Sequence, residues 1–206
     1  MFRFHLNFRF LCVAVLFCLP YESSFAQIDL EFSDGVSTNT TFNVPVGSSA
    51  TISVTATEGP ATTTLSTVGL SSQGFGLSTS GTSADTTSFQ PSSAFSFTFT
   101  NTVGAGSNSE EVSAQSFSPP TGTSVLLGDL NIDVTSAGPT TFTFEDRGVG
   151  SDFSNTDGDL DAVIFEGGRT ISFTINGIST IPEPSGGVLI GLSMLASTMR
   201  RKRNRS

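Results

Sequence analysis

The chain has 206 residues, of which 36% are apolar and 13% charged, with a formal net charge of −9. Seven of its nine basic residues lie before residue 27 or after residue 181. The stretch between holds Arg147, Arg169 and sixteen acids, a net −14 that repels nucleic acid and anionic lipid.

Residues 27–181 also lack Cys, His, Lys, Tyr, Trp and Met. No disulfide is available there, so a core alone must stabilise the fold. A Ser–His–Asp triad, a zinc site and a Schiff-base lysine are excluded, leaving only paired-carboxylate hydrolysis among the common chemistries. Sugar-cleaving sites of that kind use aromatic platforms, and Trp and Tyr are missing. The composition points away from an enzyme.

In chain order, residues 1–26 come first and read as a secretory signal peptide. Arg3 and Arg9 supply the positive region and Phe10 to Leu19 the apolar core, with Pro20 ending it. Ser24-Phe25-Ala26 precedes Gln27, which places cleavage between Ala26 and Gln27. The Sec translocon and signal peptidase are the implied partners. Ten apolar residues are too few for a membrane helix. Cys12 and Cys18 follow Leu11 and Phe17, not the small residue of a lipobox, and leave with the signal.

Residues 27–180 are long enough for one domain with one core. Ser and Thr make up about a third of it, interleaved with thirteen Phe. Ala50 to Thr57, Ala94 to Thr100, Thr140 to Phe144 and Thr170 to Ile175 alternate apolar and hydroxyl residues with period two. Each predicts a half-buried antiparallel strand with its Phe, Ile or Val on the core face. Gly59-Pro60, Pro119-Pro120-Thr121-Gly122, Gly138-Pro139, Asp157-Gly158 and Gly167-Gly168 punctuate the strands. Helical periodicity does not persist for three turns anywhere. The expected fold is an all-β, single antiparallel sandwich of about eight to ten strands. Ser71 to Ser93, weakly patterned, is expected to form a long loop.

Two phrases in this domain resemble cohesin-like jelly-roll sandwiches. Val44-Pro45-Val46-Gly47 before the alternating Ser48 to Val54 is similar to their opening turn and strand. Val125 to Val134, then Ala137-Gly138 and a Phe-rich strand, resembles a later hairpin. The resemblance implies a sandwich used for adhesion and carries over no binding residue.

Near the end of the domain lies an acidic run, Asp152-Phe153-Ser154-Asn155-Thr156-Asp157-Gly158-Asp159-Leu160-Asp161. Alternate oxygen ligands around a Gly turn are what a calcium loop needs, and Asn155, Asp157, Asp159 and Asp161 supply them. Phe153 at the first position and Ile164 at the twelfth rule out an EF-hand. The run resembles the short calcium loops of FG-GAP repeats, in which the turn leads into an apolar strand, here Ala162 to Phe165. A solvated Asp/Gly turn is the alternative.

The last segment, residues 181–206, has three parts in a fixed order. Pro182-Glu183-Pro184 is extended, because each proline fixes φ and removes a donor. Val188 to Met199 is a short apolar span interrupted by Gly191, Ser193, Ser197 and Thr198. Arg200, Arg201, Lys202 and Arg203 form a basic stop that resists translocation. The segment resembles the PEP-CTERM sorting signal of Gram-negative bacteria, including planctomycetes. That resemblance implies an exosortase-type enzyme reading Pro182, Glu183 and Pro184, and a cargo associated with exopolysaccharide or biofilm. The chain is thus expected to be exported, held transiently in the inner membrane, and delivered to the surface or medium. A plain C-terminal anchor is the alternative, although twelve residues fall short of the ~20 that span a bilayer.

The sequence therefore predicts a non-enzymatic surface or matrix protein. A secreted binding module, for carbohydrate or for ice on Thr pairs such as Thr55/Thr57, Thr98/Thr100 and Thr141/Thr143, is the alternative.

Overall fold

The computed structural model describes residues 27–60, 64–104, 110–147, 152–165 and 169–179. The signal peptide, with Ala26, lies outside the described residues, as does the tail with Pro182, Glu183, Pro184 and Arg200 to Arg203. No helix among the described residues is long and apolar enough to cross a membrane.

Two sheets form a sandwich. The smaller sheet runs in the order β1 (Ile28–Ser33), β3 (Ser49–Glu58), β8 (Ser124–Val134), β5 (Ala84–Pro91). The larger runs β6 (Phe97–Asn101), β7 (Glu110–Gln115), β4 (Ser72–Ser80), β9 (Gly138–Glu145), β12 (Ile171–Ile178), β2 (Thr41–Pro45). Two-residue strands β10 (Ser154–Asn155) and β11 (Gly158–Asp159) attach to β4 at Ser72. Two single-turn helices, α1 (Thr64–Thr67) and α2 (Asp161–Ile164), occupy connections. Both sheets and the entire described core lie within residues 27–179, so a 27–181 fragment carries the complete sandwich.

Period-two alternation builds the core. Ile52, Val54 and Ala56 of β3 point inward while Thr51, Ser53 and Thr55 face out. β9 buries Phe142 and Phe144, and β12 buries Ile171, Phe173 and Ile175. The rings then meet across the gap. Phe32 of β1 lies 4.8 Å from Phe173 and 5.2 Å from Phe144. Phe75 of β4 lies 4.8 Å from Phe144 and meets Phe89 of β5 edge-on at 5.2 Å. Phe173 also contacts Phe42 and stacks on Phe142. Tilted and edge-on pairs suit the ring quadrupoles.

The opening turn forms as its sequence suggests. Ser48 N–H donates to Pro45 C=O at 3.1 Å across a turn whose third residue, Gly47, has φ +82°. A type II turn needs that left-handed residue, which glycine adopts without steric cost.

Five expectations need correction. Ser71 to Ser93 is not a long loop but carries β4 and β5. Its pattern is hidden because β4 buries Gln73, whose Nε2 donates to Leu127 C=O at 2.9 Å, and interleaves the glycines Gly74 and Gly76. In β5 a bulge between Thr86 and Ser88 breaks the alternation. Ala94 to Thr100 does not place all its Phe inward. Phe95 is buried ahead of the strand, while Phe97 and Phe99 face solvent beside a bulge between Thr98 and Thr100.

The expected hairpin after Val125 is a crossover. β8 pairs with β3 and β5, whereas β9 pairs with β4 and β12 in the other sheet. The sandwich is not wholly antiparallel either, since β12 and β2 pair in parallel from Thr174↔Thr41 to Ile178↔Pro45. Ala162 to Phe165 does not form a strand. Ile164 N–H bonds Leu160 C=O and Phe165 N–H bonds Asp161 C=O, so the backbone closes a helical turn on itself.

Phe173 touches four other rings, and its truncation leaves a large cavity. Phe173→Ala is expected to lower the unfolding free energy of the 27–181 fragment by ~3–5 kcal/mol. Phe99→Ala, at an exposed position, should change it by no more than ~0.5 kcal/mol. Urea denaturation of the two variants checks the contrast.

Candidate functional site

The acidic segment between β9 and β12 is the chemically richest part of the domain. Phe153, the residue that spoils the calcium loop's first position, is fully buried in the core, with Leu160 and Ile164 beside it. The segment is therefore folded down onto the sandwich, and Leu160 N–H bonds Phe153 C=O at 2.8 Å.

Its carboxylates mostly serve the backbone. Asp161 accepts the N–H of Asp152 at 2.8 Å and of Phe153 at 2.6 Å. Asp159 accepts the N–H of Asp161 at 2.8 Å, and Asn155 Oδ1 accepts those of Asp157 and Gly158 at 2.9 and 3.0 Å. The last pair is an Asx turn around Asp157-Gly158. Asp152 accepts the N–H of Arg147 at 2.9 Å and lies over Gly74, where a Cβ would stand 2.7 Å from its oxygen. The Arg147 guanidinium bridges Asp152 at 3.4 Å and Glu111 at 3.2 Å.

Sequence spacing marked Asn155, Asp157, Asp159 and Asp161 as one ligand set. The structure keeps all four in one loop. Asp161 is turned inward beneath Asp152 and Phe153, while Asp157 is exposed. Among the described residues, no three His, Cys, Asp or Glu side chains are grouped to hold a metal ion. The spacing missed Arg147 and Asp152 as partners, because their contact depends on β4 and β7 lying beneath them.

Burial raises the Asp152 carboxyl above its usual pKa, against the opposing Arg147 contacts. Burial also pushes Asp161 up to about 6, against its two backbone donors and helped by the neighbouring Asp159 and Asp152 charges.

A shallow cleft of about 420 Å³ opens next to this segment, lined by Glu145, Asp146, Phe165 and Arg169 among others. Glu145 accepts the Ser78 hydroxyl and Arg169 pairs with Asp29, so two of its charged groups already have protein partners.

Both wet faces carry rows of hydroxyls. On the smaller sheet, Ser49, Thr51 and Ser53 donate across to Asp133, Asn131 and Asp129 at 2.6–2.8 Å. On the larger, Thr41, Thr174, Thr141 and Ser80 stand in register across four strands. The three Thr pairs considered for ice do not share one surface. Thr55/Thr57 lie on the smaller sheet and Thr141/Thr143 on the larger, while the β6 bulge separates Thr98 from Thr100.

No protein-family model matches this chain, and no curated protein sequence matches it. Solved cohesin structures are similar to this chain at low identity. A type I cohesin–dockerin complex from Clostridium thermocellum is 10% identical, covering 74% of this chain and 99% of that one, with a TM-score of 0.49. A type III cohesin module from a cell-surface anchoring scaffoldin of Ruminococcus flavefaciens is 11% identical over 74% and 87%, TM-score 0.48. A non-cellulosomal cohesin from Archaeoglobus fulgidus is 14% identical over 75% and 91%, TM-score 0.44. The likeness concerns the course of the chain alone.

The Asp161 proton has a measurable consequence. Between its usual 3.8 and about 6, the folded chain binds that proton more tightly than the unfolded chain. Its contribution to stability is therefore full below pH 3.8 and is lost as pH rises through 6. The stability difference between the parent fragment and Asp161→Asn should fall over that window and level off above it. Urea melts at intervals of half a pH unit test this; a constant difference contradicts it.

Proposed function

We propose that this chain is an exported, non-enzymatic surface or matrix protein whose tail is processed by an exosortase-type enzyme and whose domain associates with exopolysaccharide. The observation that carries the reading is the ordered tail: Pro182-Glu183-Pro184, then Val188 to Met199, then Arg200 to Arg203, behind an N-terminal export signal.

The domain supports it in chemical terms. It holds no His, Cys or Lys, and the carboxylates of its acidic segment are largely spent on backbone N–H groups and on Arg147. Such groups fix a loop; they do not form the pair of free carboxyls that sugar hydrolysis requires. A Ser/Thr-rich surface of net −14 suits a soluble matrix component.

Calcium belongs to a second reading, in which Asn155, Asp157, Asp159 and Asp161 hold the ion in a secreted binding module. The alternation of oxygen-bearing residues around the Asp157-Gly158 turn is what supports it. A melting midpoint that rises in millimolar calcium supports that module, and an unchanged midpoint removes it.

Intact-mass measurement of the protein recovered from envelope and medium tests the first reading. The expected species begins at Gln27 and ends near residue 181. Pro182→Ala with Pro184→Ala should instead accumulate in the membrane fraction at full length. Recovery of the unaltered chain ending at Ser206 in both fractions would count against sorting.

A further inference from the structure

Apart from the two-residue β11, which carries Asp159, four strands end the two sheets, and three of them carry features that discourage further pairing. β1 presents Asp29 and Glu31, β5 carries Asp85 and ends at Pro91, and β2 ends at Pro45. Charges and prolines on edge strands are how soluble proteins prevent unwanted strand addition. β6 is different. Among the described residues it pairs with β7 alone, and it contains neither charge nor proline.

The neutrality extends well beyond the strand. From Pro91 to Ser109 the chain has no charged residue, within a domain of net −14. The first acids after it are neutralised or buried. Glu110 is buried, with its oxygens on the Thr86 hydroxyl at 2.6–2.7 Å and the Gly104 N–H at 2.8 Å. Glu111 pairs with Arg147. On this same edge three Phe rings lie in contact yet exposed: Phe97 at 50%, Phe99 at 62% and Phe117 at 76%. A contiguous exposed aromatic patch marks an interaction surface.

We propose that the β6 edge pairs with β6 of a second copy of this chain, joining the two larger sheets into one antiparallel sheet across a two-fold axis. Charge decides the occupant. The β1 and β5 edges bring acids towards acids and β2 ends in proline, whereas at β6 two copies meet without like-charge repulsion. Both arginines of the domain are already ion-paired, so no free cation waits to draw an acidic partner to another face. Antiparallel pairing of identical strands is self-complementary, as a two-fold contact requires. An axis at Thr98 sets Phe97 opposite the second copy's Phe99, the kind of cross-strand aromatic pair that stabilises sheets. The bulge at Phe99 twists the edge without charging it. Each copy has one such edge, so association closes at two.

Sedimentation velocity of the 27–181 fragment, from about 1 µM to about 500 µM, tests this over the range of weak to moderate affinities. The expected result is a monomer–dimer equilibrium. Phe97→Lys with Phe99→Lys should raise the dimer Kd at least about tenfold while leaving the thermal midpoint of the dilute, monomeric fragment nearly unchanged, because both sites are exposed. The introduced charges face each other only if the β6 edges pair, so weaker association reports on this edge and not on the overall net charge. Thr51→Lys, on the smaller sheet, should leave the Kd unchanged. A parent fragment that stays monomeric throughout overturns the proposal, as does a double variant that dimerises like its parent. Equal loss with Thr51→Lys overturns it too. The measurement contains no polysaccharide and no tail, so its failure leaves export and sorting untouched.

Discussion

The sandwich depends on a line of phenylalanine rings running through its middle. Phe42, Phe173 and Phe142 on the larger sheet connect through Phe32 to Phe144 and Phe75, and then to Phe89 on the smaller sheet. Burying such a side chain stabilises the fold by ~1.5–3 kcal/mol before any aromatic pairing is counted. No disulfide shares that task within residues 27–181. Around these rings the strands carry bulges in β5, β6 and β8, a parallel closing strand, and crossovers that alternate between sheets.

The acidic segment follows from that core. Phe153, Leu160 and Ile164 pull the chain down onto the sandwich, and the polar groups carried with them must then find partners. Asp152 and Asp161 accept backbone N–H bonds and Asp152 also meets Arg147, one of only two cations in the domain. Burial makes the charged form of Asp161 costly, which is why its proton is held to about 6. A cluster that resembles a metal loop by spacing thus does structural work in the folded chain.

Electrostatics sets the character of the remaining surface. Hydroxyls on both wet faces pair with one another or with carboxylates across strands, as Ser49 does with Asp133 and Ser53 with Asp129. That arrangement keeps a Ser/Thr-rich surface hydrated and acidic. Among the described residues, the exposed aromatic rings gather on one uncharged edge, at Phe97, Phe99 and Phe117. A surface of this kind is governed by where charge is missing.

Much of the fold was legible in local pattern. Alternation over Ala50 to Thr57, Thr140 to Phe144 and Thr170 to Ile175 marked β3, β9 and β12 with their inward faces, and Val46-Gly47 marked the turn between sheets. β4 and β5 were hidden because a buried Gln73, two glycines and a bulge erase period two, and those features are satisfied only by distant partners such as Leu127. The acidic residues of the candidate site were visible as a cluster, yet their partners were not, since Arg147 after β9, Glu111 of β7 and Gly74 of β4 are brought together only by the sheet. By itself the sequence determined the all-β class, the hydroxyl-rich wet faces and the chemistry that residues 27–181 lack, because composition and alternation are local properties. Tertiary structure alone decided which phenylalanines are core and which are surface. Phe95 and Phe97 share the same alternating phrase, and only the turn, the bulge and the place of β6 outside β7 send one inward and the other out.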